Sequence, residues 1–397
     1  MSRYRLCPTP EQVEILRRHC AHARFVWNLA VEQHSWWTPR RGPAPGYVAQ
    51  ARQLTEARAV NPWLAGGSQT VQQQALRDFA QAMAHFFAGR HRRPSYRKAG
   101  CHEGFRIVAV KPSDVRRLSR STGEVRVPKV GWVRFRWSRA VPGGIKSYRV
   151  TCDRAGRWHV AFAAVPDAIP APGNGAVVGV DRGVAVSAAL STGELLHAPR
   201  LRESEGRRLL LLQRRLARCQ RGSNRGRRVR STLARLKARE ADRRRDWVEK
   251  TTTRLAAGFD VIGIEALDVR GMTASAKGTV EAPGSRVRQK AGLNRGILRS
   301  AWGAFAARLE DKAPGRVIRV DPAYTSQCCS ACGIVDREAR ESQAVFRCRA
   351  CGHTDNADVN AARNVKTAAG RAVAAREGPC ASGPVHREPQ SDLLLSA

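Results

Sequence analysis

CSACGIVDREARESQAVFRCRACGHTDNADVNAARN, residues 329–364, holds two Cys-x-x-Cys knuckles and then an acid at the mouth of a helix. The knuckles are Cys329/Cys332 and Cys348/Cys351, with fifteen residues between the pairs. That spacing falls within the two-pair zinc pattern. Each knuckle turns two thiolates toward one point, and two knuckles complete a tetrahedral site. Four protein ligands leave no open position, so the expected Zn²⁺ is structural, and its binding folds a small loop-rich unit. The alternative is four unligated thiols or two disulfides. Cys328 and His353 are nearby spares that could be mistaken for ligands.

Working outward, the 397 residues suffice for two or three domains, and the formal net charge of +37 points to a polyanionic partner. The basic residues run through the whole chain rather than along one amphipathic segment, which argues against a membrane surface. No run of eighteen apolar residues marks a transmembrane helix, and MSRYRLCPTPEQ has no apolar core of a signal peptide. Of eleven cysteines, seven are scattered without framework spacing, which fits a reducing cytoplasm.

Tyr4–Cys7 reads as a strand. Thr9 and Gln12 have capping-box spacing with Pro10 at the first helical position. Val13, Leu16, Cys20, Trp27 and Val31 form the apolar stripe of the helix that follows. A second helical pattern begins near Ser68, with Val71, Ala75, Phe79, Met83 and Phe86 on its buried face. From Gly104 to Val165 the period changes to two, as in antiparallel strands, with Gly156 in a hairpin turn. This is expected to be a small barrel interrupted by helices. The Pro/Gly-rich stretch ending at Gly175 is the best linker.

Beyond it, AVVGVD is an apolar run ending in Asp181, and FDVIGIE is a second ending in Glu265. Between them, residues 204–256 read as two helices crowded with arginine, expected to contact nucleic acid. Residues 273–293 are polar, and Asn294–Lys312 reads as one helix with Ile297, Trp302, Phe305 and Leu309 in the core. RVIRVD is a further strand.

Asp181 and Glu265 each end an apolar strand, and Asp358 begins the last helix. If the strands are neighbours and the helix packs on them, three carboxylates meet. Like charges so close call for cations, and two Mg²⁺ or Mn²⁺ ions about 4 Å apart can clamp a scissile phosphate. Any one acid alone is more often a turn former or a cap, and Asp355 and Asp268 are decoys. Strand-Asp, long interval, strand-Glu, late Asp is the layout of a ribonuclease-H-like metal nuclease.

The chain resembles the TnpB (OrfB) family of insertion-sequence nucleases over nearly its whole length. The resemblance is carried by YRLCPTPEQ, ARFVWNLAVEQ, GVDRGV at 179–184, IGIEALDVRGM at 262–272, VDPAYTSQCCSACG at 320–333 and FRCRACGHTDNADVNAARNV at 346–365. It implies a RuvC-like site of Asp181, Glu265 and Asp358, with the zinc ribbon preceding the third acid. It also implies an RNA-guided DNA endonuclease related to compact type V CRISPR effectors. The partners would be a guide RNA from the transposon end and a double-stranded DNA target. The alternatives are a nuclease-inactive RNA-guided DNA-binding regulator, a transposase accessory protein, or a transposase that joins strands itself.

The implied fold is α+β multidomain. A wedge-like β-barrel at 1–8 and 100–168 carries a helical recognition insertion at 9–99. After a linker at 169–175, a RuvC-like α/β domain at 176–320 and 355–376 is interrupted by a zinc ribbon at 321–354, and 377–397 is a disordered tail. Arg182, Cys328 and Ala266 depart from the commoner family residues, and none removes a catalytic carboxylate.

Overall fold

The computed structural model describes residues 2–38, 40, 42–164, 167–342 and 344–377. The chain divides into two compact units, one of residues 1–167 and 201–242, the other of 168–200 and 243–397. Beyond Glu377, the tail expected at 377–397 lies outside the described residues. Among the described residues, no helix is long and apolar enough to cross a membrane.

The first unit opens with β1 (Ser2–Arg5) and α1 (Pro10–Ser35). The capping box is formed. Thr9 Oγ1 accepts from the Gln12 N–H at 3.3 Å, and Gln12 Oε1 accepts from the Thr9 N–H at 3.1 Å. Leu16, Cys20, Trp27 and Val31 are buried along α1, while Val13 packs at the margin of the core. Then come α2 (Tyr47–Val60), α3 (Pro62–Ala65) and α4 (Gln69–Phe87). Only Gln50 and Leu54 of α2 are buried, so this helix has no apolar stripe to announce it. Helices α1 and α4 pack together and against β2 (Glu103–Val108).

The remaining strands of this unit are β3 (Val115–Arg117), β4 (Thr122–Val127), β5 (Gly131–Arg136), β6 (Ser147–Cys152) and β7 (Trp158–Ala163). They form two antiparallel sheets, ordered β1-β7-β6-β2 and β3-β4-β5. A bridge between Leu6 and Phe135 joins them, and Tyr4, Phe135 and Phe162 pack ring against ring in a shared core. The expected closed barrel is corrected here: among the described residues, β2 and β3 do not pair. Ala109 takes a positive φ of 57°, and a short turn of helix begins at Pro112, so the chain leaves β2 before a return ladder can form. Helix α5 (Glu203–Ala217) and the first half of α6 (Asn224–Gly258) group with this unit, although they follow the linker in sequence. Arg157 holds Asp242 at 2.6 Å.

The second unit is built on a five-stranded sheet. Its members are β8 (Val177–Asp181), β9 (Ala188–Leu190), β10 (Leu195–Leu196), β11 (Val261–Glu265) and, after the helices, β12 (Val317–Val320). The spatial order is β10-β9-β8-β11-β12, with β11 parallel to both β8 and β12. The short α7 (Val269–Met272) follows β11, and α8 (Val287–Ser300) and α9 (Trp302–Lys312) precede β12. One helix was expected from Asn294. The first of the two helices instead starts earlier, at Val287, and ends at Ala301, whose φ is 58°. Gly292 and Gly296 lower the helical signal of that stretch.

Alternation along the strands separates the two faces. Val178, Val180, Ile262 and Ile264 pack with Leu255 of α6 and with Phe305 and Leu309 of α9. The opposite face is covered by α10 (Ala357–Glu377), which packs on β8 and β11. Before α10, the hairpin strands β13 (Val345–Arg347) and β14 (Thr354–Asn356) belong to the cysteine-bearing segment.

Candidate active site and metal centre

Two glycines set the site. Gly179 and Gly263 are register partners in the parallel pair β8/β11. A Cβ on Gly179 would lie 2.0 Å from the Ala362 carbonyl oxygen, and one on Gly263 would lie 2.8 Å from the Ala369 Cβ. Both absences let α10 lie close on the sheet. Each glycine stands two residues before an acid, so Asp181 and Glu265 project from the same face, level with each other. Two strand residues advance about 6.6 Å. Four helical residues, from Ala362 back to Asp358, advance about 6 Å. The helix runs away from the strand ends, so Asp358 comes to the level of the other two acids.

Electrostatics agree with this juxtaposition. Burial, then Glu265 and Asp358, push the Asp181 carboxyl up to about 8, with Arg340 opposing. Burial likewise raises Glu265, opposed by hydrogen bonding to the Arg182 N–H and by the Arg182 charge. The Arg182 N–H donates to Glu265 Oε2 at 3.4 Å, and Thr325 Oγ1 lies 3.3 Å from Glu265 Oε1. Asp358 is 9% exposed and takes Arg340 Nη2 at 2.8 Å. Asp358 does not cap its helix: Asn356 Oδ1 accepts the Asp358 and Val359 N–H groups at 3.0 and 3.2 Å. The positive end of the α10 dipole therefore faces the acids. Both decoys have structural partners. Asp355 pairs with Arg363 at 2.7 Å, and Asp268 caps α7 through the Gly271 N–H at 3.0 Å.

The Sγ atoms of Cys329, Cys332, Cys348 and Cys351 all lie within 4.8 Å of one another. The Cys329–Cys351 and Cys332–Cys348 distances are 3.7 and 3.6 Å. A tetrahedral site with Zn–S bonds of about 2.3 Å spaces its sulfurs about 3.8 Å apart, so the cluster fits zinc. The two knuckles are alike. Each is closed by a glycine at positive φ, Gly333 at 78° and Gly352 at 73°, whose N–H returns to the first cysteine's carbonyl. Cys328 is outside the cluster, but its carbonyl accepts from Asn360 Nδ2 at 2.8 Å and Asn364 Nδ2 at 2.7 Å. Asn360 Oδ1 also takes the Ser330 N–H at 2.9 Å. One helical turn apart, these asparagines bolt the first knuckle to the helix that carries Asp358.

Gly179, Gly263, Arg182, Thr325, Asn360 and Asn364 were not assigned site roles from sequence. The repeated glycine-x-acid of GVD and GIE, and the asparagines four apart, are the signals that could have found them.

Three family models match the chain. A "Probable transposase" model of the OrfB IS605 group covers residues 159–276, a "Helix-turn-helix domain" model of that group covers 2–42, and a "Cas12f1-like, TNB domain" model covers 302–365. An Escherichia coli (strain K12) protein named "Putative RNA-guided DNA endonuclease InsQ" is 36% identical over 100% of this chain and 98% of its own. A Streptomyces pristinaespiralis protein named "Putative RNA-guided DNA endonuclease" is 31% identical, covering 95% and 90%. Among solved structures, a "Cas12f1-sgRNA-target DNA complex" matches with TM-score 0.53 at 13% identity, over 90% of this chain and 83% of that one, a likeness of fold. Given 36% identity to the first relative along its full length, the chain belongs to the TnpB (OrfB) family of the IS605 group.

Proposed function

We propose that this protein is a transposon-encoded, RNA-guided DNA endonuclease that hydrolyses phosphodiesters with two divalent cations and helps maintain its insertion sequence. What carries the reading is that Asp181 and Glu265 end the neighbouring strands β8 and β11, that α10 lies on that face with Asp358 in its first turn, and that Glu265 and Asp358 both act to raise the Asp181 carboxyl. The names of the full-length relatives and the charge of +37 support the nucleic-acid partners. In this reading the second unit's sheet is a RuvC-like domain interrupted by the ribbon. The first unit's paired sheets are the wedge, with α1 to α4 as the recognition insertion.

The donor set fits hard cations: three carboxylates, all oxygen, one of them pushed by burial and by its two acidic neighbours toward keeping a proton. Mg²⁺ or Mn²⁺, when bound, supplies the charge that stabilises the attacking and leaving oxygens. Asp181, Glu265 and Asp358 would hold the ions, with Asp181 in its carboxylate form. Arg182 and Thr325 fix the Glu265 carboxylate. The four cysteines would hold a structural zinc, and Asn360 and Asn364 pass that rigidity to the first turns of α10. Guide pairing selects the target, while protein contacts read the adjacent duplex and the backbone.

All three carboxylates are present, which favours cutting over a nuclease-inactive regulator or an accessory to a separate transposase. The test is Asp181→Ala. It abolishes cutting and leaves guide-RNA binding intact; a mutant that still cuts at the wild-type rate sinks the assignment.

A further inference from the structure

Arg182 is the residue immediately after Asp181, and it is only 6% exposed. Its Nη2 donates to the Glu265 carbonyl, and its Nη1 to the Trp302 carbonyl at 3.4 Å. Its backbone N–H reaches Glu265 Oε2 at 3.4 Å. In return, Trp302 Nε1 donates to the Gly183 carbonyl at 3.1 Å. Residue 182 therefore grips Glu265 at both its main chain and its carboxylate, and ties that strand end to the first residue of α9. With Thr325 Oγ1 at 3.3 Å from the other carboxylate oxygen, Glu265 is held from two sides.

Burying a guanidinium is a poor way to gain stability, because desolvation offsets the pairing. Here the donors are not even all used: among the described residues, the buried Arg182 Nε has no partner. An apolar side chain would suit packing better. What arginine offers is a rigid fork whose two ends reach two carbonyls at once, which a lysine ammonium on a flexible stem does not reproduce.

We propose that Arg182 is a positioning residue: by bridging the Glu265 and Trp302 carbonyls it fixes Glu265 in the orientation from which that carboxylate shares a divalent cation with Asp181 and Asp358. The inference rests on the reading of Glu265 as a metal ligand. It makes a prediction opposite to that of a simple counter-charge. Removing a positive charge beside a cation site should tighten metal binding if charge alone mattered. If orientation matters, binding weakens.

The experiment uses the full-length chain with its co-purified RNA, comparing wild type with Arg182→Met, Arg182→Lys and Glu265→Gln. Mn²⁺ binding is read by electron paramagnetic resonance of the free ion. Cleavage rate at saturating metal, melting temperature and guide-RNA affinity are followed alongside. Both Arg182 variants are expected to bind Mn²⁺ roughly 10- to 100-fold more weakly, the usual effect of losing a group that orients a ligand. Saturated cutting slows as well, with RNA affinity within about twofold of wild type and no rescue by lysine. Tighter or unchanged Mn²⁺ binding by Arg182→Met overturns the proposal, as does a loss that merely follows melting temperature and RNA affinity. If Arg182→Met does not fold, Arg182→Lys, which keeps the buried charge, carries the same test. Wild-type metal binding and cutting in Glu265→Gln overturns the ligand reading itself. Loss there with none in the Arg182 variants overturns only the positioning role.

Discussion

Replacing Gly179 with alanine should damage folding and catalysis together, and more than the same change at Gly263. The new Cβ would lie 2.0 Å from the Ala362 carbonyl oxygen and 2.4 Å from the Lys366 nitrogen, both main-chain atoms of α10. A close carbon–oxygen contact needs about 3.3 Å, so helix and strand must part by roughly 1.3 Å. At Gly263 the nearest atoms are Ala369 Cβ at 2.8 Å and the Val365 carbonyl oxygen at 3.0 Å; against a carbon–carbon contact of about 3.5 Å the shortfall is roughly 0.7 Å, about half that at Gly179. Overpacking of this kind typically costs about 1–3 kcal/mol, and Gly179→Ala should fall at the upper end. The catalytic effect is separate. If α10 retreats it carries Asp358 with it, and a displacement of about 1 Å at a reacting centre can cost on the order of 100-fold in rate. The assays are urea denaturation and single-turnover cleavage at saturating Mg²⁺. Gly179→Ala with wild-type stability and rate, or Gly263→Ala more damaging than Gly179→Ala, would refute the argument that the glycine pair seats the helix.

Three further outcomes follow from the same geometry. Metal analysis should find one zinc per chain. Its removal, or Cys348→Ser, should lower the melting temperature and stop cutting, since Asn360 and Asn364 then brace α10 against an unfolded ribbon; full activity without zinc contradicts this. Asp181 keeps its proton up to about pH 8, well above its ordinary value of 3.8. The folded, metal-free chain therefore binds a proton that the unfolded chain has lost, and its stability falls as pH rises through that window. Metal must displace this proton, so apparent Mg²⁺ affinity should rise up to about tenfold per pH unit until about pH 8 and then level, with proton release seen calorimetrically; a flat profile from pH 6 to 8 opposes it. Changing Arg208, Arg214, Arg215, Arg228, Arg235 and Arg239, all exposed on α5 and α6, to glutamine should reduce the salt slope of RNA binding by up to about 4, at roughly 0.7 per lost phosphate contact. An unchanged slope means these helices face solvent.

The parts legible in the sequence were those with short-range signatures. The capping box at Thr9 and Gln12, the stripe through Leu16, Cys20, Trp27 and Val31, and the apolar runs ending at Asp181 and Glu265 all depend on residues within a few positions of one another. The four cysteines declared their cluster because knuckle geometry is local. What was not legible depends on partners far along the chain. The failure of β2 and β3 to close a barrel turns on backbone conformation near Ala109 and Pro112, which alternation does not report. Helix α2 buries too few apolar side chains to show a period, and two glycines hide the start of α8. At the site itself, the carboxylates were visible but their supports were not. Arg182 stood out only as a departure from the commoner family residue, and nothing near it in sequence shows that its guanidinium reaches the Glu265 and Trp302 carbonyls. Asn360 and Asn364 carry no local signal of their role, because the Cys328 carbonyl that both reach lies more than thirty residues away.

The most direct measurement is cleavage by the complex purified with RNA expressed from its own flanking DNA, its guide segment rewritten to match a chosen plasmid. The account predicts cutting beside the matched sequence only, dependent on Mg²⁺ or Mn²⁺, moved to a new place by a new guide, and absent in Asp181→Ala. Cutting that ignores the guide, cutting that survives Asp181→Ala, or a discrete bound RNA with no cutting at any matched site would contradict it.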